Sequence, residues 1–174
     1  MSDGLSIAVL TVSDSRTLET DTSGQFLADS AAAAGHQLDA RELVEDNVYK
    51  IRAIVSNWIA DEQIEVVLIT GGTGFTERDT TPEAVTPLLD QEIAGYGELF
   101  RALSYEEIGA STVQSRAVGG MVNNTLVFCM PGSTGACKTA WSGIIKDQLD
   151  IDHRPCNFAE LLKNASYSHG AASE

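Results

Sequence analysis

Apolar runs and helical stripes alternate along this chain. Residues 6–12 (Ser-Ile-Ala-Val-Leu-Thr-Val) are an almost unbroken series of strand formers, the pattern of a strand buried on both faces. After a polar loop, Asp21 or Thr22 can cap a helix reaching Ala34, with Phe26, Leu27, Ala31 and Ala34 on one stripe and Gly35 at its end. Leu38 to Val44 alternates more, as a strand nearer a sheet edge does. The clearest stripe is Val48, Ile51, Ile54, Val55, Trp58 and Ile59, which predicts a helix from Val48 to Ala60. Val66 to Thr70 reads as a short buried strand running directly into Gly71-Gly72-Thr73-Gly74. Thr81-Pro82 starts a helix with a capping hydroxyl and a first-turn proline, and another helical stretch covers Gly97 to Glu107. Thr125 to Met130 is a third apolar strand, closed by Pro131-Gly132-Ser133. A last long helix, Thr134 to Leu149, carries Ala136, Cys137, Ala140, Trp141, Ile144, Ile145 and Leu149 on its apolar face.

Strands separated by helices, with no internal repeat, build parallel βαβ units. The expected architecture is therefore one three-layer α/β/α sandwich around a mostly parallel sheet. Residues 1–163 form that single domain, and the small polar residues of 164–174 form a flexible, frayed tail. In such folds ligands bind beyond the carboxyl ends of the strands, which singles out segments 13–23, 44–47, 71–81 and 131–134.

Composition narrows the function classes. With 174 residues and 43% hydrophobic side chains, the chain can bury a core without disulfides or a structural metal. A net charge of −14 argues against a nucleic-acid binder, which needs basic side chains to replace phosphate counterions, and against docking on anionic lipid. Met1-Ser2-Asp3-Gly4 has no basic leader, and the apolar stretch after it is too short to span a bilayer, so a cytoplasmic, reduced protein is expected. The three cysteines and three histidines show no paired spacing for zinc. Cys129 and Cys137 read as packing residues and Cys156 as an accessible spare thiol.

The chemistry gathers in the strand-end loops. Gly71-Gly72-Thr73-Gly74 suits backbone N–H groups turned toward a phosphate or carboxylate, or it is only a tight turn. Arg78-Asp79 follows: Arg78 can neutralise a phosphate and Asp79 can hold a Mg²⁺ that bridges phosphates, or the two are a surface pair near a helix start. Asp46 is either a second metal carboxylate or a solvated loop acid. Pro131-Gly132-Ser133-Thr134 enters a helix N-terminus, a ready anion site. Residues 132–139 nearly match the G-x-x-x-x-G-K-[ST] phosphate loop, but Cys137 replaces the second glycine and Lys138 falls inside the helical stripe, so that reading is rejected. Ser13, Asp14, Arg16, Asp21 and Ser23 either close over a ligand or form ordinary turns and caps. Ser115-Arg116 and Asn123-Asn124 flank Gly119-Gly120 and either reach a substrate or form a hairpin. No Ser/His/Asp arrangement is legible. A site built from these parts holds phosphates and a metal, and phosphoryl or nucleotidyl transfer needs chiefly positioning and charge neutralisation.

At these residues the chain resembles the MogA/MoaB family. The resemblance is carried by Thr11-Val12-Ser13-Asp14, Asp21-Thr22-Ser23-Gly24, Thr70-Gly71-Gly72-Thr73-Gly74, Arg78-Asp79-Thr80-Thr81-Pro82-Glu83-Ala84, Ser115-Arg116-Ala117-Val118-Gly119-Gly120, Asn124-Thr125-Leu126 and Met130-Pro131-Gly132-Ser133. It runs from Leu5 to Leu162, and Arg154-Pro155-Cys156-Asn157-Phe158 is similar to the MoaB branch.

The resemblance implies a molybdenum cofactor biosynthesis protein-like α/β/α domain that assembles as trimers or hexamers. It implies Mg²⁺- and ATP-dependent adenylylation of the molybdopterin phosphate with release of pyrophosphate, before a molybdenum-insertion protein acts. It places the essential, metal-holding carboxylates at Asp46 and Asp79. Phosphate and substrate contacts fall to Ser13, Asp14, Ser23, Gly71, Gly72, Thr73, Gly74, Arg78, Ser115, Arg116, Asn124, Pro131, Gly132 and Ser133. Glu45 stands where the family more often has Pro. The competing readings are a non-catalytic molybdopterin carrier of the same pathway and, less compatible with one domain, an insertion protein of the larger MoeA type.

Overall fold

The computed structural model describes residues 4–170, with residues 165–170 described by their backbone alone. Six strands form one sheet in the order β2-β1-β3-β6-β5-β4. β1 (Ser6–Val12), β2 (Gln37–Val44), β3 (Val66–Thr70) and β6 (Thr125–Met130) run parallel. β5 (Val118–Val122) is reversed and pairs antiparallel with both β6 and the short edge strand β4 (Gln91–Glu92), so the sheet is mixed, with its parallel half carrying the expected strands.

The three apolar runs lie at the centre because no face of them can meet water. Alternate residues of β1, β3 and β6 point to opposite layers. Ile7, Val9, Val66, Leu68, Leu126, Phe128 and Met130 pack with α1 (Thr22–Ala33), α4 (Ala94–Ile108), α5 (Thr134–Ala140) and α7 (Phe158–Gly170). Ala8, Leu10, Val67, Ile69, Val127 and Cys129 pack with α2 (Val48–Ala60) and α3 (Thr81–Val85) on the other face. Each fully buried Leu or Ile contributes about 1.5–3 kcal/mol relative to exposure. The alternating, half-exposed β2 is the edge that its pattern foretold.

Four differences from the sequence reading have physical causes. β5 and β6 form a hairpin through Asn123 and Asn124, both at positive φ (46° and 62°), so the hairpin alternative holds for this pair. Its β5 arm is hard to read because Gly119 gives no apolar signal; a Cβ there would lie 2.9 Å from Phe128 and 3.1 Å from Tyr96 of α4. The Thr81 hydroxyl is not a cap: it donates to Gly71 O (2.8 Å), and the residue preceding α3, Thr80, gives its hydroxyl to Asp46. The last long helix contains a π turn, Trp141–Ile145, before a short α6 (Lys146–Gln148), and the wider turn lets Trp141, Ile144 and Ile145 all face inward. α7 continues to Gly170, past the start of the expected tail; residues 171–174 of that tail, and Met1–Asp3, lie outside the described residues.

Candidate functional site

The carboxyl ends of β1, β3 and β6 open into one cavity of about 410 Å³. It is walled by Ser13 and Arg16 after β1, by Gly71–Gly74 and Asp79 after β3, and by Pro131-Gly132 after β6. A fourth wall, Ile108, Ser111, Gln114 and Ser115, comes from the connection into β5. Parallel pairing sets the first three side by side: Thr11 lies opposite Thr70 and Thr70 opposite Met130, and Gly71 N–H donates to Met130 O (3.0 Å). The fourth arrives because β5 is reversed, so its amino end lies beside the carboxyl ends of its neighbours.

Gly71 and Gly72 bend the chain away from β3 with φ of +104° and +65°. Side chains have no room there, since a Cβ on Gly71 would lie 2.1 Å from Val12 O. Behind Gly72 sits Asp46, only 9% exposed. Its Oδ1 accepts from Thr80 N–H (3.0 Å) and the Thr80 hydroxyl (2.6 Å), while Oδ2 accepts nothing among the described residues. Asp79 caps its own loop, its Oδ2 accepting from Thr76 N–H (2.8 Å) and the Thr76 hydroxyl (2.6 Å). Burial alone would raise the Asp79 pKa, but the Thr76 and Gly74 hydrogen bonds and nearby Arg116 prevail and hold it below the ordinary carboxylate value.

Of the two acids expected to hold a metal, Asp79 lies on the cavity wall and Asp46 behind the glycine loop. Among the described residues no three His, Cys, Asp or Glu side chains gather as a closed metal cage. Mg²⁺ needs fewer protein ligands than such a cage, since it keeps waters and takes phosphate oxygens from its substrate.

The predicted cations divide. Arg78 does not line the cavity; its Nη2 lies 2.8 Å from Asp14 Oδ1, and Asp14 also accepts from Asp46 N–H (2.9 Å). That backbone hydrogen bond first, and Arg78 second, lower the Asp14 pKa. Arg116 clamps the glycine loop: Nε donates to Gly74 O (2.8 Å), Nη2 to Asp79 O (2.7 Å) and Nη1 to Glu83, with the guanidinium 5.1 Å from the Phe75 ring centre. In this structure both guanidinium groups are held by the protein's own loops, Arg78 by one contact and Arg116 by three.

Ser13, Gly71, Gly72, Thr73, Gly74, Asp79, Ser115, Pro131 and Gly132 are brought together as expected. Ser23 stands just behind them, its hydroxyl donating to Gly132 O (2.8 Å). Ser133 caps α5, accepting from Ala136 N–H (3.0 Å). Asn124 does not join the site: it sits in the hairpin turn at the amino end of β6, whereas the cavity opens beyond the carboxyl end. Ile108, Ser111 and Gln114 went unseen, and their only signal would have been the reversal of β5. Ser115 lines the cavity, and its Oγ is shielded from solvent with no hydrogen-bond partner among the described residues.

Nucleophilic side-chain chemistry has no candidate here. Burial pushes the Cys137 thiol up to about 11 and the Cys129 thiol higher still, so both stay protonated. Cys156 is exposed and lies outside the cavity lining.

An α/β sandwich with a glycine-walled cavity at the carboxyl ends of its parallel strands defines a class of small-ligand-binding domains, and residues 8–151 match the family model described as a probable molybdopterin binding domain. The chain belongs to that family, within its molybdenum cofactor biosynthesis protein B group. Molybdenum cofactor biosynthesis protein B of Escherichia coli strain K12 is 60% identical over 157 residues, covering 90% of this chain and 92% of that protein. A crystal structure of molybdenum cofactor biosynthesis protein B superposes with a TM-score of 0.86 at 42% identity, covering 92% of this chain and 97% of its own. The tungsten cofactor synthesizing protein MoaB of Pyrococcus furiosus gives 0.79 at 32% identity, covering 95% and 99%. No helix among the described residues is long and apolar enough to cross a membrane.

Proposed function

We propose that this protein adenylylates the phosphate of molybdopterin with ATP. The observation that carries the reading is the cavity at the strand ends, where the Gly71–Gly74 loop, the Pro131-Gly132 loop and Asp79 meet, with Asp46 directly behind Gly72. Its composition suits transfer between two phosphates, since it offers N–H groups, hydroxyls and carboxylates and no reactive nucleophile.

In this reading the pterin phosphate, already anionic near neutral pH, is itself the nucleophile. One of its oxygens bonds to the α-phosphorus of ATP, the bond from that phosphorus to the α,β-bridging oxygen breaks, and pyrophosphate departs with the electron pair. The chain's part is to hold both ligands in line. The Gly71–Gly74 backbone approaches one phosphate closely because Cβ atoms are absent, and Ser115 Oγ satisfies its missing hydrogen bond on a ligand oxygen. Asp46 and Asp79 would hold Mg²⁺, which when bound neutralises triphosphate charge and stabilises the departing pyrophosphate. The same reading includes self-assembly as a trimer or hexamer and hand-over of product to a molybdenum-insertion protein.

One observation favours a second reading, a molybdopterin carrier: Asp46 and Asp79 each already accept hydrogen bonds from their surrounding loops, as purely structural acids do. Incubation with molybdopterin, Mg²⁺ and α-labelled ATP separates the two. Labelled pterin together with pyrophosphate is the expected result. Stoichiometric pterin binding without label transfer establishes the carrier instead.

A further inference from the structure

We propose that Arg16 is the phosphate-recognising cation of the cavity, and that Asp21 and Ser23 are the positioning residues that aim it. This deepens the reading above and rests on the cavity being a phosphate site.

A chain with a net charge of −14 repels polyanions unless some local cation reverses the field. Among the described residues that line the cavity, Arg16 is the only cation. The two other arginines near the glycine loop stand outside that lining: Arg78 pairs with Asp14 through Nη2, and Arg116 spends Nε and both Nη groups on Gly74 O, Asp79 O and Glu83. Arg16 uses only Nη1, which donates to Ser23 Oγ (3.1 Å) and lies 3.9 Å from Asp21 Oδ1. Its remaining N–H donors on Nε and Nη2 take no acceptor among the described residues, and its side chain is 35% exposed.

The platform beneath Arg16 is fixed. Asp21, its side chain wholly buried, accepts from the Thr11 hydroxyl (2.6 Å), Gly24 N–H (2.9 Å) and Arg41 Nη2 (3.1 Å). One carboxylate thus faces two guanidinium groups. Arg41 holds the shorter contact, so the cluster keeps a surplus positive charge on its cavity side, where Arg16 stands. Ser23 accepts from Arg16 and donates to Gly132 O (2.8 Å), which ties the guanidinium to the lip formed by the β6 loop. On the wall entering β5, Ser115 Oγ is buried without a partner. A phosphate entering from solvent supplies oxygen atoms to both.

Calorimetric titration with inorganic pyrophosphate tests the assignment without requiring turnover. Arg16→Gln is expected to weaken binding about tenfold to hundredfold, as loss of charge-assisted hydrogen bonds does, and to flatten its dependence on ionic strength. Arg16→Lys recovers part of the affinity by keeping the charge but losing the fork. Ser23→Ala falls between wild type and Arg16→Gln and becomes less sensitive to the Arg16→Lys exchange. Lys146→Gln removes the same unit of charge at the opposite edge of the sheet and shifts affinity less than about twofold. The proposal is overturned if Arg16→Gln binds within twofold of wild type, if Arg78→Gln costs more than Arg16→Gln, or if the wild type does not bind pyrophosphate. Parallel titration with molybdopterin separates this proposal from the adenylylation reading. Pyrophosphate bound through Arg16 with no affinity for molybdopterin removes the enzyme reading and leaves the phosphate site. Molybdopterin bound equally by wild type and Arg16→Gln, with pyrophosphate also unaffected, does the reverse.

Discussion

Gly72 has a φ of +65°, and a Cβ built there would lie 2.4 Å from Thr81 Oγ1 and 2.6 Å from Asp46 Oδ2. The residue therefore answers two demands, a left-handed turn at the end of β3 and close packing over a carboxylate. Gly72→Ala should cost about 1–3 kcal/mol through backbone strain, before any displacement of Asp46. Urea unfolding of the variant measures this, and an unchanged or raised midpoint would contradict the conformation. The glycine run was legible because strand-end glycines are sparse signals with a physical reason. What Arg78 and Arg116 do was not legible. Their neighbours in sequence, Asp79 and Ser115, gave no sign that Asp14, Glu83 and two backbone carbonyls would claim their donors.

Between elements, Asp21 is the junction. It caps α1 through Gly24 N–H, holds β1 through Thr11 and reaches β2 through Arg41. Burial works to raise its pKa, yet the Thr11, Gly24 and Arg41 interactions outweigh it and leave the pKa below the ordinary value. A carboxylate with a lowered folded pKa stabilises the fold above its unfolded pKa of about 3.9, and that contribution is lost as pH falls through the lowered folded value. Wild-type stability should therefore drop on acidification below about pH 4, and Asp21→Asn should start lower at neutral pH and fall less steeply. Chemical denaturation at pH 7 and at successively lower pH reads out both slopes; parallel curves would show that Asp21 is not the linked group. The elements themselves were legible in proportion to their side chains. α2 was read to its ends because a six-residue apolar stripe follows the Asn47 cap. α4 begins three residues before the expected Gly97, at Ala94, where Ala94-Gly95 offers no stripe. β5 was legible only as one arm of the hairpin alternative around Gly119-Gly120, because a glycine pair carries no alternation to mark a strand.

For the whole molecule, the proposed self-assembly has exposed apolar side chains to use on α4 and the turn after it. Leu99, Tyr105, Ile108 and Val113 are 45%, 57%, 55% and 74% exposed, and Ile108 also lines the cavity. Sedimentation equilibrium at micromolar concentration is expected to give a trimer or a multiple of three, and a monomer would count against the assembly. The reversal of β5 also bears on how such a protein can diversify. Three sides of the cavity continue from strands locked in register, so altering them disturbs the sheet. The fourth, residues 109–114, enters from outside the ladder as a 3-10 turn, ahead of the Arg116 clamp, and leaves sheet registry untouched when it changes. Substitutions confined to that turn can therefore reshape one wall of the cavity while the glycine loops and the sheet stay in place.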